Sequence, residues 1–146
     1  MTVMRKNPRM PTLNQMDEIS NIRNISNRSH PFPQIYYLET AAACNLKCAM
    51  CFRSDSLDPS VMEYDLFKNL VNEIIHLADT KKVHLNLFFQ GEPLINSRIF
   101  EMISYAASNG AATYMSTNAM LLNEEKSQRL LDAGLGTLFV SLDGIN

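Results

Sequence analysis

From Gln34 onward the hydrophobic and polar positions fall into alternating blocks. Ile35–Glu39 is β-branched and aromatic, which predicts a short strand. Leu66, Phe67, Leu70, Val71, Ile74 and Ile75 recur at the i, i+3, i+4 spacing of one helical face and predict an amphipathic helix. A second strand is predicted over Val83–Phe89, and a second helix over Ile99–Asn109 with Gly110 at its C-terminal end. Ala112–Ser116 predicts a third strand. Asn123 then stands where a third helix needs its N-cap, and Glu124 and Glu125 complement the dipole of that helix. Gly134 closes it, and Thr137–Ser141 predicts a fourth strand. Strands alternating with helices in this way predict βαβ units, hence an α/β fold with parallel strands.

Before Gln34 the pattern dissolves. Met1–Pro33 holds four of the six prolines, five asparagines and a charge of +3, against −5 for the rest of the chain. Its apolar residues keep no period, apart from a weak helical signal around Asp17–Ile25. Residues 1–33 therefore read as a polar, proline-containing and loosely ordered leader, and 34–146 as the core. At the other end the chain stops at Gly144-Ile145-Asn146, just past the fourth strand. Complete α/β domains seldom end there, so the expectation is the N-terminal portion of something longer, with Leu138 and Val140 left uncovered.

Composition narrows the classes. Of 146 residues, 46% are hydrophobic and 19% charged, enough to bury a core. A net charge of −2 argues against nucleic acid or an anionic membrane as the main partner. No apolar run approaches the ~18 residues of a membrane span, and basic Met1–Met10 lacks the apolar stretch of a signal peptide. A cytoplasmic protein is expected. The three cysteines lie within eight residues, an odd number too tightly packed for a disulfide framework.

Those cysteines, Cys44, Cys48 and Cys51, form a C-x3-C-x2-C run just after the first strand. Thiolates are good ligands for iron–sulfur clusters and for zinc, and three from one loop leave a fourth coordination position open. A structural zinc site wants a fourth ligand. His30, His76 and His84 are the candidates, and none is spaced like a zinc-finger pair. Gly91 follows the second strand and lets the backbone approach a ligand closely. Pro93 fixes the turn, and Glu92 or nearby carbonyls are placed to accept hydrogen bonds from an ammonium. Asn118, Ser141 and Asp143 sit at later strand ends, where they suit either ligand contact or turn formation.

Taken together these segments resemble the radical S-adenosylmethionine (radical SAM) superfamily. Besides the cysteines, Gln90-Gly91-Glu92-Pro93 resembles that family's Gly-Gly-Glu-Pro segment, Ser116-Thr117-Asn118-Ala119 its Thr-Asn-Gly segment, and Ser141-Leu142-Asp143-Gly144 its Ser-Leu-Asp-Gly segment. All four end successive strands, where a β/α barrel builds its active site. Gln90 and Ala119 depart from the pattern, each standing where a glycine is usual. The resemblance implies the first part of a partial (β/α)6 TIM-like barrel, apparently truncated after the fourth strand. It implies a [4Fe-4S] cluster on Cys44, Cys48 and Cys51, with S-adenosyl-L-methionine at its open iron. The SAM contacts it implies are Met50, Gly91, Glu92, Asn118, Ser141 and Asp143. The implied chemistry is one-electron cleavage of SAM to a 5′-deoxyadenosyl radical, which takes a hydrogen atom from an unknown small-molecule or peptide substrate. An electron donor such as flavodoxin or ferredoxin is implied too. A non-catalytic zinc module, or an inactive fragment needing a C-terminal partner, are the alternatives.

Overall fold

The computed structural model describes residues 33, 35–52, 59–78 and 82–142. The expected leader apart from Pro33, the Asp17–Ile25 helical signal, His30 and Asp143 lie outside them. Four strands form one sheet: β1 (Ile35–Tyr37), β2 (His84–Asn86), β3 (Ala112–Thr117) and β4 (Thr137–Val140). Their spatial order is β1-β2-β3-β4 and every neighbouring pair is parallel. Parallel neighbours need a crossover, and helices supply it. These are α1 (Tyr64–Ala78), α2 (Ile99–Ser108) and α3 (Glu124–Asp132).

The core lies between one face of the sheet and the helices. Leu85 and Met115 from the sheet, with Leu87 just past β2, are fully buried with Phe67, Val71, Ile99, Met102 and Ile103. β3 shows the two-residue alternation of a half-buried strand: Thr113, Met115 and Thr117 are buried, while the residues between them are partly exposed. The helix seam follows the predicted one through Phe67, Leu70, Val71, Ile74 and Ile75 and departs only at Leu66. In α1 the buried residues are Phe67, Val71, Ile74 and Ala78, and Leu66 is 52% exposed. A 3.6-residue repeat centres only one stripe on the sheet, and Leu66 falls at its margin.

The predicted caps are present. Asn123 accepts a hydrogen bond from the Lys126 amide at 2.8 Å, and Gly110 and Gly134 follow α2 and α3 with φ of 84° and 82°. The helix surface is tied by cations over rings: Arg98 and Lys68 over Tyr64, and Arg129 over Phe100. β2 is shorter than predicted. The Leu87 amide still bonds to the Tyr114 carbonyl, but the chain then bends into a turn before a 3-10 segment, Pro93–Ile95. In β4 the expectation holds for Val140, 47% exposed, and is corrected for Leu138, which packs against the core; Phe139 is exposed as well, at 51%. Among the described residues no helix is long and apolar enough to cross a membrane.

Candidate functional site

The cysteine loop is an excursion with a closed neck. Beyond β1, Ala41 pairs antiparallel with Val61, the Ala42 amide donates to the Ser60 carbonyl, and the Met62 amide to the Thr40 carbonyl. Asn96 clamps this neck. Its side-chain amide, 3% exposed, donates to the Thr40 carbonyl at 2.8 Å and the Met62 carbonyl at 3.1 Å. Thr40 in turn donates from its hydroxyl to the Leu87 carbonyl at 2.8 Å, fixing the neck to β2. Glu39, the residue before Thr40, performs a similar task. Its Oε1 accepts from the backbone amides of Gln90 (2.8 Å) and Gly91 (3.2 Å).

Gly91 is required by this neck. A Cβ there would stand 1.9 Å from the Ala41 carbonyl oxygen and 2.7 Å from that of Ala43. The missing Cβ thus makes room for the chain's own backbone, and Gly91 lines the cleft as well. The next residue completes the seam, because the Glu92 amide donates to the Ala43 carbonyl. Gln90 has no positive φ, so its turn does not demand the glycine that the resemblance expects.

Glu92 is 2% exposed, and its carboxylate is well occupied. Oε1 accepts from the Leu94 amide (3.1 Å), capping the 3-10 segment, and from the Thr117 hydroxyl (2.8 Å). Oε2 accepts from the Asn118 amide at 2.9 Å. A buried carboxylate is tolerable when donors surround it, and these three join the end of β2 to the end of β3. The Ser141 amide donates to the Thr117 carbonyl and brings the end of β4 alongside.

These strand ends and the cysteine loop enclose one cleft of about 570 Å³. Cys44, Cys48, Cys51, Met50, Gly91, Glu92, Asn118 and Ser141 all line it. So do residues that the sequence did not single out, among them Phe52, Phe89 and Met120, which are 91%, 64% and 67% exposed and give the cleft an apolar rim. Glu39, Thr40, Asn96 and Thr117 also escaped sequence reading as site residues. Thr117 alone carried a signal, since it lies inside a quoted strand-end segment.

The Cys51 amide donates to the Cys48 carbonyl at 3.0 Å, so these two cysteines stand at the ends of one tight turn. Cys44 is half-buried, and Cys48 and Cys51 are exposed. Among the described residues no three His, Cys, Asp or Glu side chains gather closely enough to hold a single metal ion. Three thiols on one loop, all lining one cleft, are a soft donor set of the kind that suits an iron–sulfur cluster. The zinc reading lacks a fourth ligand among the described histidines. His84 begins β2, at the opposite end of the strand from the cleft, stacked on Tyr114, and His76 lies in the last turn of α1.

Comparison with known proteins agrees with this geometry. The family model described as the radical SAM superfamily matches residues 38–146. The tungsten-containing aldehyde ferredoxin oxidoreductase cofactor-modifying protein of Pyrococcus furiosus is 32% identical over 108 residues, covering 73% of this chain and 30% of that protein. The PqqA peptide cyclase of Bradyrhizobium diazoefficiens is 31% identical over 115 residues, covering 77% and 29%. Among solved structures, BtrN in complex with AdoMet and 2-DOIA superposes with a TM-score of 0.67 at 23% identity, over 77% of this chain and 47% of that one. The chain thus spans under a third of the length of these two curated relatives and about half of that structure, as a part of a barrel would.

Proposed function

The chain belongs to the radical SAM superfamily, and from that premise we propose that Cys44, Cys48 and Cys51 hold a [4Fe-4S] cluster with S-adenosyl-L-methionine beside it. The observation that carries the reading is that the three thiols and four successive strand ends line a single cleft. When bound, such a cluster supplies the electron that cleaves the SAM sulfonium, for hydrogen abstraction from a substrate. The chain's own residues bind and orient. The clamped neck presents the three thiols from a fixed base, a form of preorganisation that a loose loop lacks. Met50, at the rim, offers an apolar surface for a flat ring. The backbone at Gly91 lines the cleft beside the amino-acid end of SAM, while Glu92 and Asn118 shape that wall through the bonds that join β2 to β3. Ser141 and Asp143 at the fourth strand end supply polar contacts to its carboxylate or ribose. The apolar rim limits water at the cleft mouth.

The substrate is a small molecule or a peptide, supported by relatives named for modifying a cofactor and for cyclising a peptide. The electron donor is a flavodoxin- or ferredoxin-type protein, and the expected setting is the cytoplasm.

The test is anaerobic reconstitution with iron and sulfide under a reductant, followed by iron counting and assay for 5′-deoxyadenosine. The expected result is about four irons per chain for the native sequence and loss of the four-iron complement in Cys48→Ala, because each cysteine holds its own corner. Cys48→Ala that still loads four irons and cleaves SAM overturns the assignment.

A further inference from the structure

We propose that Asn118 is a positioning residue for the Cys44 ligand: its side-chain amide donates a hydrogen bond to the Cys44 sulfur and raises the reduction potential of the cluster bound there. The inference rests on the cluster-binding reading above and deepens it. Three bonds fix the amide's orientation. The Asn118 backbone N–H donates to Glu92 Oε2 at 2.9 Å, holding the main chain. Its Oδ1 accepts from the Met120 amide at 3.0 Å, so its nitrogen points the other way, toward the cysteine loop. There Nδ2 donates to Asn45 Oδ1 at 2.8 Å and lies 3.8 Å from Cys44 Sγ. A side-chain amide has two N–H donors. One serves Asn45 and the other serves the sulfur.

The consequence is electrostatic. An iron-bound thiolate carries negative charge, and that charge grows when the cluster takes up one electron. A fixed N–H dipole aimed at the sulfur stabilises the reduced form more than the oxidised form, which raises the potential. No proton moves and no bond to the protein changes; the N–H stays on Asn118 throughout. Cys44 is the ligand at which this matters most. It is half-buried, whereas Cys48 and Cys51 are exposed, where the higher local dielectric weakens any such dipole. Glu92, Thr117 and the backbone of residue 118 join the strand ends without the side-chain amide, and the turn that Oδ1 holds through the Met120 amide keeps its acceptor in Asn118→Asp.

The experiment compares the anaerobically reconstituted protein with Asn118→Leu and Asn118→Asp. Iron content and far-ultraviolet circular dichroism are measured first, then the midpoint potential by dithionite titration followed by electron paramagnetic resonance. The expected result is that both variants fold and load four irons. The reduction equilibrium is expected to shift toward the oxidised form by about tenfold in Asn118→Leu, which is 59 mV for one electron, and by more in Asn118→Asp, where a carboxylate faces the sulfur. An exchangeable proton coupled to the reduced cluster is also expected in the native protein and lost in Asn118→Leu. Unchanged potentials in fully loaded variants overturn the proposal. So does failure of both variants to load iron while folded, which makes Asn118 an assembly residue, or failure of both to fold, which makes it a structural one. Native protein that takes up no four-iron cluster overturns the underlying reading, and the inference with it.

Discussion

At position 91 an added methyl group has nowhere to go. The obstruction is backbone, the Ala41 carbonyl at 1.9 Å, and not the far end of a flexible side chain. Gly91→Ala is expected to cost about 3 kcal/mol, at the upper end of overpacking, and to loosen the neck of the cysteine loop. Urea unfolding measures it; an unchanged midpoint would show that the loop gives way freely. Ala119 presents the opposite case. Its φ is 61°, the left-handed region that a Cβ disfavours, in a turn held by the Met120 amide on Asn118 Oδ1 and its own amide on the Thr117 hydroxyl. Ala119→Gly is expected to raise stability by roughly 0.5 kcal/mol, the relief of strain being partly offset by the greater freedom of glycine in the unfolded chain. A denaturant midpoint that falls contradicts the strain.

Between elements, Glu92 is the joint. Its carboxylate serves the 3-10 segment through Leu94 and β3 through Thr117 and Asn118. Glu92→Gln substitutes a donor for one acceptor oxygen among groups that donate, and is expected to destabilise by about 1–3 kcal/mol. Thr117→Val removes one donor and is expected to cost about 1 kcal/mol. A double-mutant cycle should show coupling between them, and strict additivity would mean the 2.8 Å contact carries little. On the helix surface the electrostatics are weaker. The hydrogen bond from Arg98 holds the Glu101 carboxyl below its ordinary range, and the bond from Lys68 does the same for Asp65. A carboxyl depressed on folding stabilises above its unfolded pKa, and that contribution is lost as pH falls through the lower folded value. Glu101→Gln should therefore lower the melting temperature slightly at neutral pH and leave it unchanged in strong acid. A larger loss in acid than at neutrality would reverse the sign. Both partners are about half-exposed, so the effect is small.

At the scale of the molecule, one sheet with helices on one face sets every functional group at the same end of the strands. Parallel register makes this unavoidable: each βα turn emerges at the C-terminal edge, so four turns assemble one cleft from residues 44 to 142. The same architecture leaves β4 at an edge of the described sheet, with Phe139 and Val140 half-exposed. Exposed apolar edges invite pairing with another chain. Phe139→Lys is expected to reduce concentration-dependent association, read by light scattering, while changing stability by no more than about 0.5 kcal/mol. Equal association in the variant would show that the β4 edge does not drive it.

Element order, the caps at Asn123, Gly110 and Gly134, and the cysteine spacing were all legible in the chain because each is a local property. Helical and strand periods repeat within a few residues, a cap acts on the turn beside it, and three thiols in eight residues advertise metal chemistry wherever they fold. The strand-end segments were legible for the same reason, each being a short run just after a predicted strand. Other parts of the site depend on residues far apart in sequence. Asn96 bonds to the Thr40 carbonyl across 56 residues, Glu39 to the Gln90 amide across 51, and Asn118 to the Cys44 sulfur across 74. No period or cap encodes such pairs. They exist because sequential parallel pairing brings the ends of β1, β2 and β3 side by side, and buried or half-buried polar groups there find partners in one another where water is scarce. Tertiary structure alone decided that Gly91 yields its space to Ala41 and that Glu92 joins two strands.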